Sequence, residues 1–89
     1  MRKVRIKPST LHREVDGETV LVNLDTGTRF GLNEVGSEIW ALLGEGYTLE
    51  EIPARLTHLY DVTERGALRT LSSLLEDLVE SGLVERAQA

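Results

Sequence analysis

His12 and His58 are the two imidazoles of this 89-residue chain, and they fall in different predicted elements. A zinc site needs three or four converging ligands, and the chain has no cysteine to complete one. Both histidines therefore read as ordinary surface residues, and no metal or cofactor is expected. Gly36-Ser37 begins like a nucleophile elbow but lacks the second glycine of G-x-S-x-G. Glu76, Asp77 and Glu80 recur at helical spacing and read as a wet helix face. Carboxylates used for acid–base work need a buried site that separates their pKa values, and a domain this small has little room for one. No catalytic residue is assigned. The glycines do not form a phosphate cradle: Gly17 and Gly27 fall in hairpin turns, and Gly44 and Gly46 end a helix. Gly31 is different, because it interrupts a strand. It reads either as a bulge or packing gap, or as a place where another backbone approaches closely.

The elements that would position these residues divide into two halves. The first half alternates. Thr10–Val15 is a weak strand, and Asp16-Gly17 is a strong hairpin signal because a type I′ turn needs positive φ at both central residues. Glu18–Leu24 places Val20, Val22 and Leu24 at period two. A second turn at Asp25-Thr26-Gly27 leads into Thr28–Leu32, with Phe30 and Leu32 on one face and Arg29 on the other. Three strands joined by tight turns make an antiparallel meander.

The second half has helical periodicity. Asn33 is a good N-cap, followed by Val35, Ile39, Trp40, Leu42 and Leu43, and Gly44 and Gly46 stop the helix. Thr48 and Glu51 form a capping box ahead of Ile52, Leu56 and Leu59, with Pro53 shortening or bending the start. Thr63 caps a third helix that ends near Ser81-Gly82. Its apolar residues, from Ala67 to Val79, span an arc of roughly 140°, more than one neighbour needs. Gly82-Leu83-Val84-Glu85 is a short extended tail that packs back. The fold class is α+β: a three-stranded antiparallel sheet followed by three helices, winged-helix-like. One domain is expected over residues 1–89, with its core at about 10–85.

Bulk composition excludes several functions. Ten Lys and Arg face fifteen Asp and Glu, for a net charge of −5. A general nucleic-acid binder needs a basic surface. Residues 1–13 hold five Lys or Arg and no acid, and read as a solvated terminus or as a contact arm for an acidic partner. No apolar run spans a bilayer and no signal peptide is visible, so no membrane contact is expected. Absence of cysteine fits a cytoplasmic protein.

A binding surface is what the residues leave. The strand Thr28–Leu32 runs directly into the first helix and is expected at a sheet edge, where unpaired N–H and C=O groups can accept an incoming peptide as a further strand. Thr28, Arg29, Phe30, Gly31 and Leu32 would provide that edge. Leu68, Leu71, Ser72 and Leu75 would provide a facing helix wall, the alternative being that the three leucines are plain core. Arg65 and Arg69 on its flank would pair with acidic side chains, each exposed pair worth about 0–1 kcal/mol. Two other classes stay open: a winged-helix DNA-binding protein, which the charge opposes, and a structural subunit that dimerises through the same edge. A monomer or weak dimer is expected.

Several ordered segments resemble the PqqD-like leader-peptide recognition domains. They are Val20-Leu21-Val22-Asn23-Leu24-Asp25-Thr26-Gly27, Phe30-Gly31-Leu32-Asn33-Glu34, Ile39-Trp40-Ala41-Leu42-Leu43, Tyr60-Asp61-Val62 and Gly82-Leu83-Val84. The resemblance runs over about residues 15 to 85. It implies three antiparallel strands on three helices, no catalytic residues, and capture of the leader of a ribosomally made precursor peptide between the third strand and third helix. It also implies presentation of that peptide to a separate modifying enzyme. Within the family the chain is similar to the standalone leader-binding proteins of lasso peptide clusters, which work with a leader protease. It departs from the pattern of proteins dedicated to the quinone cofactor pathway.

Overall fold

The structure is a computed structural model and describes residues 3–87. It contains β1 (Lys3–Ile6), β2 (Thr10–Val15), β3 (Glu18–Asn23), β4 (Arg29–Leu32), α1 (Glu34–Gly44), α2 (Ile52–Leu59), α3 (Glu64–Glu80) and β5 (Val84–Ala87). The α+β class and the meander are as expected: β2, β3 and β4 form a three-stranded antiparallel sheet in that order, which makes β4 an edge. Both residues of the first turn have positive φ, 53° at Asp16 and 81° at Gly17, as a type I′ turn requires.

The basic start corrects one expectation. Met1 and Arg2 lie outside the described residues, but Lys3–Ile6 is not a solvated terminus. It is a strand, paired antiparallel with β5 from Lys3↔Ala87 to Ile6↔Val84. Val4 and Ile6 pack against the core, where Leu83 and Val84 are buried. The tail thus does pack back, onto the other end of the chain. Lys7 N–H and the Thr10 hydroxyl both donate to the Leu83 carbonyl, at 3.0 and 2.7 Å. The Arg5–Glu85 ion pair on this ribbon is 3.0 Å long but exposed on both sides, so it contributes about 0–1 kcal/mol.

The inward face of β3 is also not the one its valines mark. Leu21 is fully buried, whereas Val20 and Val22 are half-buried and Leu24 is exposed. The residues flanking Leu21 on the buried face are Thr19 and Asn23, and both have polar partners. Thr19 N–H donates to Ser37 Oγ at 3.0 Å. The Asn23 amide donates to the Ser81 carbonyl at 2.9 Å, and its Oδ1 accepts from Asp25 N–H at 2.9 Å. A polar group can be buried without large cost when it is bonded in this way.

The helices start where their caps predict. Asn33 Oδ1 accepts from Gly36 N–H at 2.8 Å, and Thr63 Oγ1 accepts from Gly66 N–H at 3.0 Å. The Thr48–Glu51 capping box is reciprocal: Thr48 N–H donates to Glu51 Oε1 at 2.8 Å, and Glu51 N–H donates to Thr48 Oγ1 at 3.3 Å. Pro53 falls in the first turn of an eight-residue α2. Ile39, Leu42, Ile52, Leu56, Leu71 and Leu78 meet with Leu21 in one core.

The capping box has a pH signature. Bonds from the Thr48 backbone and then from its hydroxyl hold the Glu51 carboxyl below its ordinary value of 4.5. A carboxylate with a lowered folded pKa adds stability at neutral pH, and this is lost as pH falls below 4.5 through the folded value. Glu51→Gln keeps an acceptor oxygen but does not titrate. Its urea midpoint should lie below that of the wild type at neutral pH and converge on it in acid. Parallel pH profiles for the two proteins would remove this assignment.

Candidate functional site: a groove between a strand edge and a helix

β4 is tied to β3 on one side, with Leu21↔Phe30 and Val20↔Gly31 in register. Gly31 keeps this register, so it is not a bulge, and a Cβ added there would meet nothing within 4 Å. Asn23 N–H donates to the Thr28 carbonyl at 2.9 Å. Bonded and non-bonded pairs alternate along an antiparallel ladder. Counting from that bond, Phe30 turns its N–H and C=O toward β3, while Arg29 and Gly31 turn theirs toward the free edge. The Asn33 cap fixes the turn from β4 into α1 and so fixes the angle of this edge.

Beside the edge runs a groove of about 420 Å³. Its sheet side is Phe30, Gly31 and Leu32, its end is Asn33 and Gly36, and its helix side is Arg69, Thr70, Ser73, Leu74 and Asp77. Phe30 and Leu74 are half-buried and pack against the core, so they give the groove an apolar floor. Arg69 and Asp77 are eight residues apart on one helix, about 12 Å along its axis. The groove thus has a basic end and an acidic end.

The structure brings together part of the predicted set. Phe30, Gly31, Leu32 and Arg69 line the groove, and Arg29 lies at its edge. Thr28 is exposed in the turn before β4, bonded to Thr26. The helix wall is corrected. Leu71 and Leu75 are 1% and 4% exposed and belong to the core. The four predicted wall residues do stay together, but away from β4: exposed Leu68 and Ser72, with Leu71 and Leu75 beneath them, line a smaller pocket of about 170 Å³ with Leu49, Glu76 and Arg86. At 100° per residue, Leu68 and Ser72 each lie about 160° around the helix from Thr70. Arg65 is exposed and lines neither cavity.

Thr70, Ser73, Leu74, Asp77, Asn33 and Gly36 were not expected in the wall. For the four residues of α3 the signal was present as an i, i+3, i+4, i+7 series beginning at Thr70. It was masked because its members are mostly polar and border the leucine stripe without belonging to it. His12 is exposed, as expected, and meets Trp40 edge-on with ring centroids 6.5 Å apart. Among the described residues no group of three or more His, Asp or Glu is placed to hold a metal ion. No described helix is long and apolar enough to cross a membrane.

A three-stranded meander whose β4 edge faces an amphipathic helix across an open channel is the kind of architecture used by small peptide-recognition domains. The sequence profile described as Coenzyme PQQ synthesis protein D (PqqD) matches residues 18–84, and the chain belongs to that family. It is similar to a solved structure of TbiB1 in complex with the TbiA(beta) leader peptide. The identity is 39% over 96% of this chain and 98% of that one, with a TM-score of 0.86. It is also similar to a lasso peptide synthetase B1 complexed with the leader peptide, at 26% identity over 92% of this chain and 96% of that one, with a TM-score of 0.84. A search of curated proteins finds no match.

Proposed function

We propose that this protein is a non-catalytic adaptor in lasso peptide biosynthesis. It takes the leader segment of a ribosomally made precursor as a fourth strand beside β4, lying against α3. It then presents the precursor to a separate enzyme, a leader protease. The observation that carries this reading is the bare β4 edge opening onto the groove with the Phe30–Leu74 floor. Two relatives similar over nearly their whole length are leader-peptide complexes, and this supports the lasso assignment over a role in quinone cofactor synthesis.

Affinity comes from two sources. Arg29 and Gly31 offer outward N–H and C=O groups, each pairing worth about 0.5–1.5 kcal/mol net. A leader side chain seated over Phe30 and Leu74 supplies the apolar anchor. Arg69 at one end and Asp77 at the other favour a leader whose acidic residue lies near Arg69, which sets its direction.

The test is fluorescence polarisation of a labelled leader peptide against wild type and Gly31→Pro. Proline removes the outward N–H of Gly31 and leaves the β3 ladder intact, and an edge strand tolerates it. Affinity should fall by about tenfold or more, which is about 1.4 kcal/mol, with the circular dichroism spectrum unchanged. Equal binding by the variant would rule out strand addition at β4. Failure of folded wild type to bind any leader would rule out the adaptor reading.

A further inference from the structure

A second cavity, of about 580 Å³, is larger than the groove and shares no lining residue with it. It lies between the core-side face of β2 and β3 and the flank of α1, with Tyr60 at the end of α2 closing one side. Glu14, Glu34 and Glu38 contribute three carboxylates, and His12, Trp40 and Tyr60 contribute three rings. None of the three glutamates is held in an ion pair with a described residue. They are also not grouped to hold a metal ion.

Trp40 supplies an independent observation. It is 5% exposed, yet its indole N–H has no acceptor among the described residues, and its nitrogen is not sealed from solvent. The N–H of this cavity-lining residue is thus a donor that water reaches, and a ligand carbonyl can take the place of that water. Burial raises the pKa of the neighbouring Tyr60 phenol, and the charges of Glu34 and Glu38 raise it further, so both carboxylates act on this space.

We propose that this cavity is a second recognition site, which binds an arginine- or lysine-bearing segment of a protein partner. The cation lies among Glu34, Glu38 and Glu14 and over the aromatic rings, where carboxylate pairing and cation–π attraction act together. A backbone carbonyl of the same segment accepts the Trp40 N–H. A free metal ion satisfies none of the donor, and an acidic peptide is repelled. Under the adaptor reading, on which the partner's role rests, the leader occupies one face and the enzyme's basic segment the other, so both bind at once.

Trp40 is the only tryptophan in the chain, so one indole N–H resonance reports on the cavity. The probe is N-acetyl-Gly-Arg-Gly-amide, titrated into ¹⁵N-labelled full-length protein, with N-acetyl-Gly-Glu-Gly-amide as the charge control. The arginine peptide should move the indole resonance saturably, and the glutamate peptide should not. The Glu34→Gln, Glu38→Gln double variant should weaken the effect at least about fivefold, and each single variant should weaken it partly. Circular dichroism checks that each variant is folded. An unmoved resonance, an equal shift from the glutamate peptide, or an undiminished shift in the folded variants would overturn the proposal. No leader enters this experiment, so its outcome is independent of the adaptor reading. Leader affinity in the double variant should stay within about twofold of wild type, and a larger loss would overturn the separation of the two sites.

Discussion

Leu74→Asp should lower leader affinity by more than about tenfold, while Leu68→Asp should leave it within about twofold. The two leucines lie on the same helix, six residues apart, and both carry exposed surface. They differ in where that surface faces. Leu74 lines the channel beside β4 with Thr70 and Ser73. Leu68, 50% exposed, opens on the pocket near Arg86. A carboxylate at 74 would place a charge on the apolar floor that Leu74 shares with Phe30, three residues from the acid Asp77. A carboxylate at 68 would stay in water. Fluorescence polarisation with a labelled leader reads both variants, and circular dichroism verifies their folds. The reverse order of effects would move the leader to the Leu68 flank and return the wall to Leu68 and Ser72.

Leu71→Asp should not fold at room temperature. Leu71 is 1% exposed in the centre of the core. Truncating such a leucine to alanine costs about 2–5 kcal/mol. A charge that is buried without a partner adds several kcal/mol more. A domain of this length has a total stability of about 4–13 kcal/mol. Leu71→Ala should remain folded with its melting temperature reduced by about 8 °C or more, and should bind leader once folded, because its side chain is not in the groove. Loss of leader binding in folded Leu71→Ala, with stability unchanged, would instead make Leu71 a wall residue. A charge at position 71 is therefore a poor probe of the groove, since it would abolish binding by abolishing the fold.

Much of the molecule was legible from local signals. Asp16-Gly17 states its turn because few other pairs accept positive φ twice. Asn33, Thr48 and Thr63 state the helix starts because free N–H groups need side-chain acceptors. The meander follows from two tight turns, and the edge position of β4 follows from its direct run into α1. The sheet side of the site was therefore readable as Phe30, Gly31 and Leu32.

What the sequence could not decide was which flank of each element faces which neighbour. On β3, Val20 and Val22 mark the more apolar face, yet Leu21 is the residue inside. Thr19 and Asn23 can accompany it only because Ser37, Ser81 and Gly82, distant in sequence, supply their hydrogen bonds. β1 gave a period-two hint in Val4 and Ile6, but its partner β5 comes from the opposite end of the chain. On α3, spacing alone places Leu68, Leu71 and Leu75 on one broad stripe. The packing of α2, β5 and α1 against that helix then sends Leu71 and Leu75 into the core, leaves Leu68 outside, and gives the groove to Thr70, Ser73 and Leu74. Local turn and cap chemistry acts over a few residues and is written in them. The division of a helix surface among its neighbours depends on where those neighbours dock, and that is a property of the whole chain.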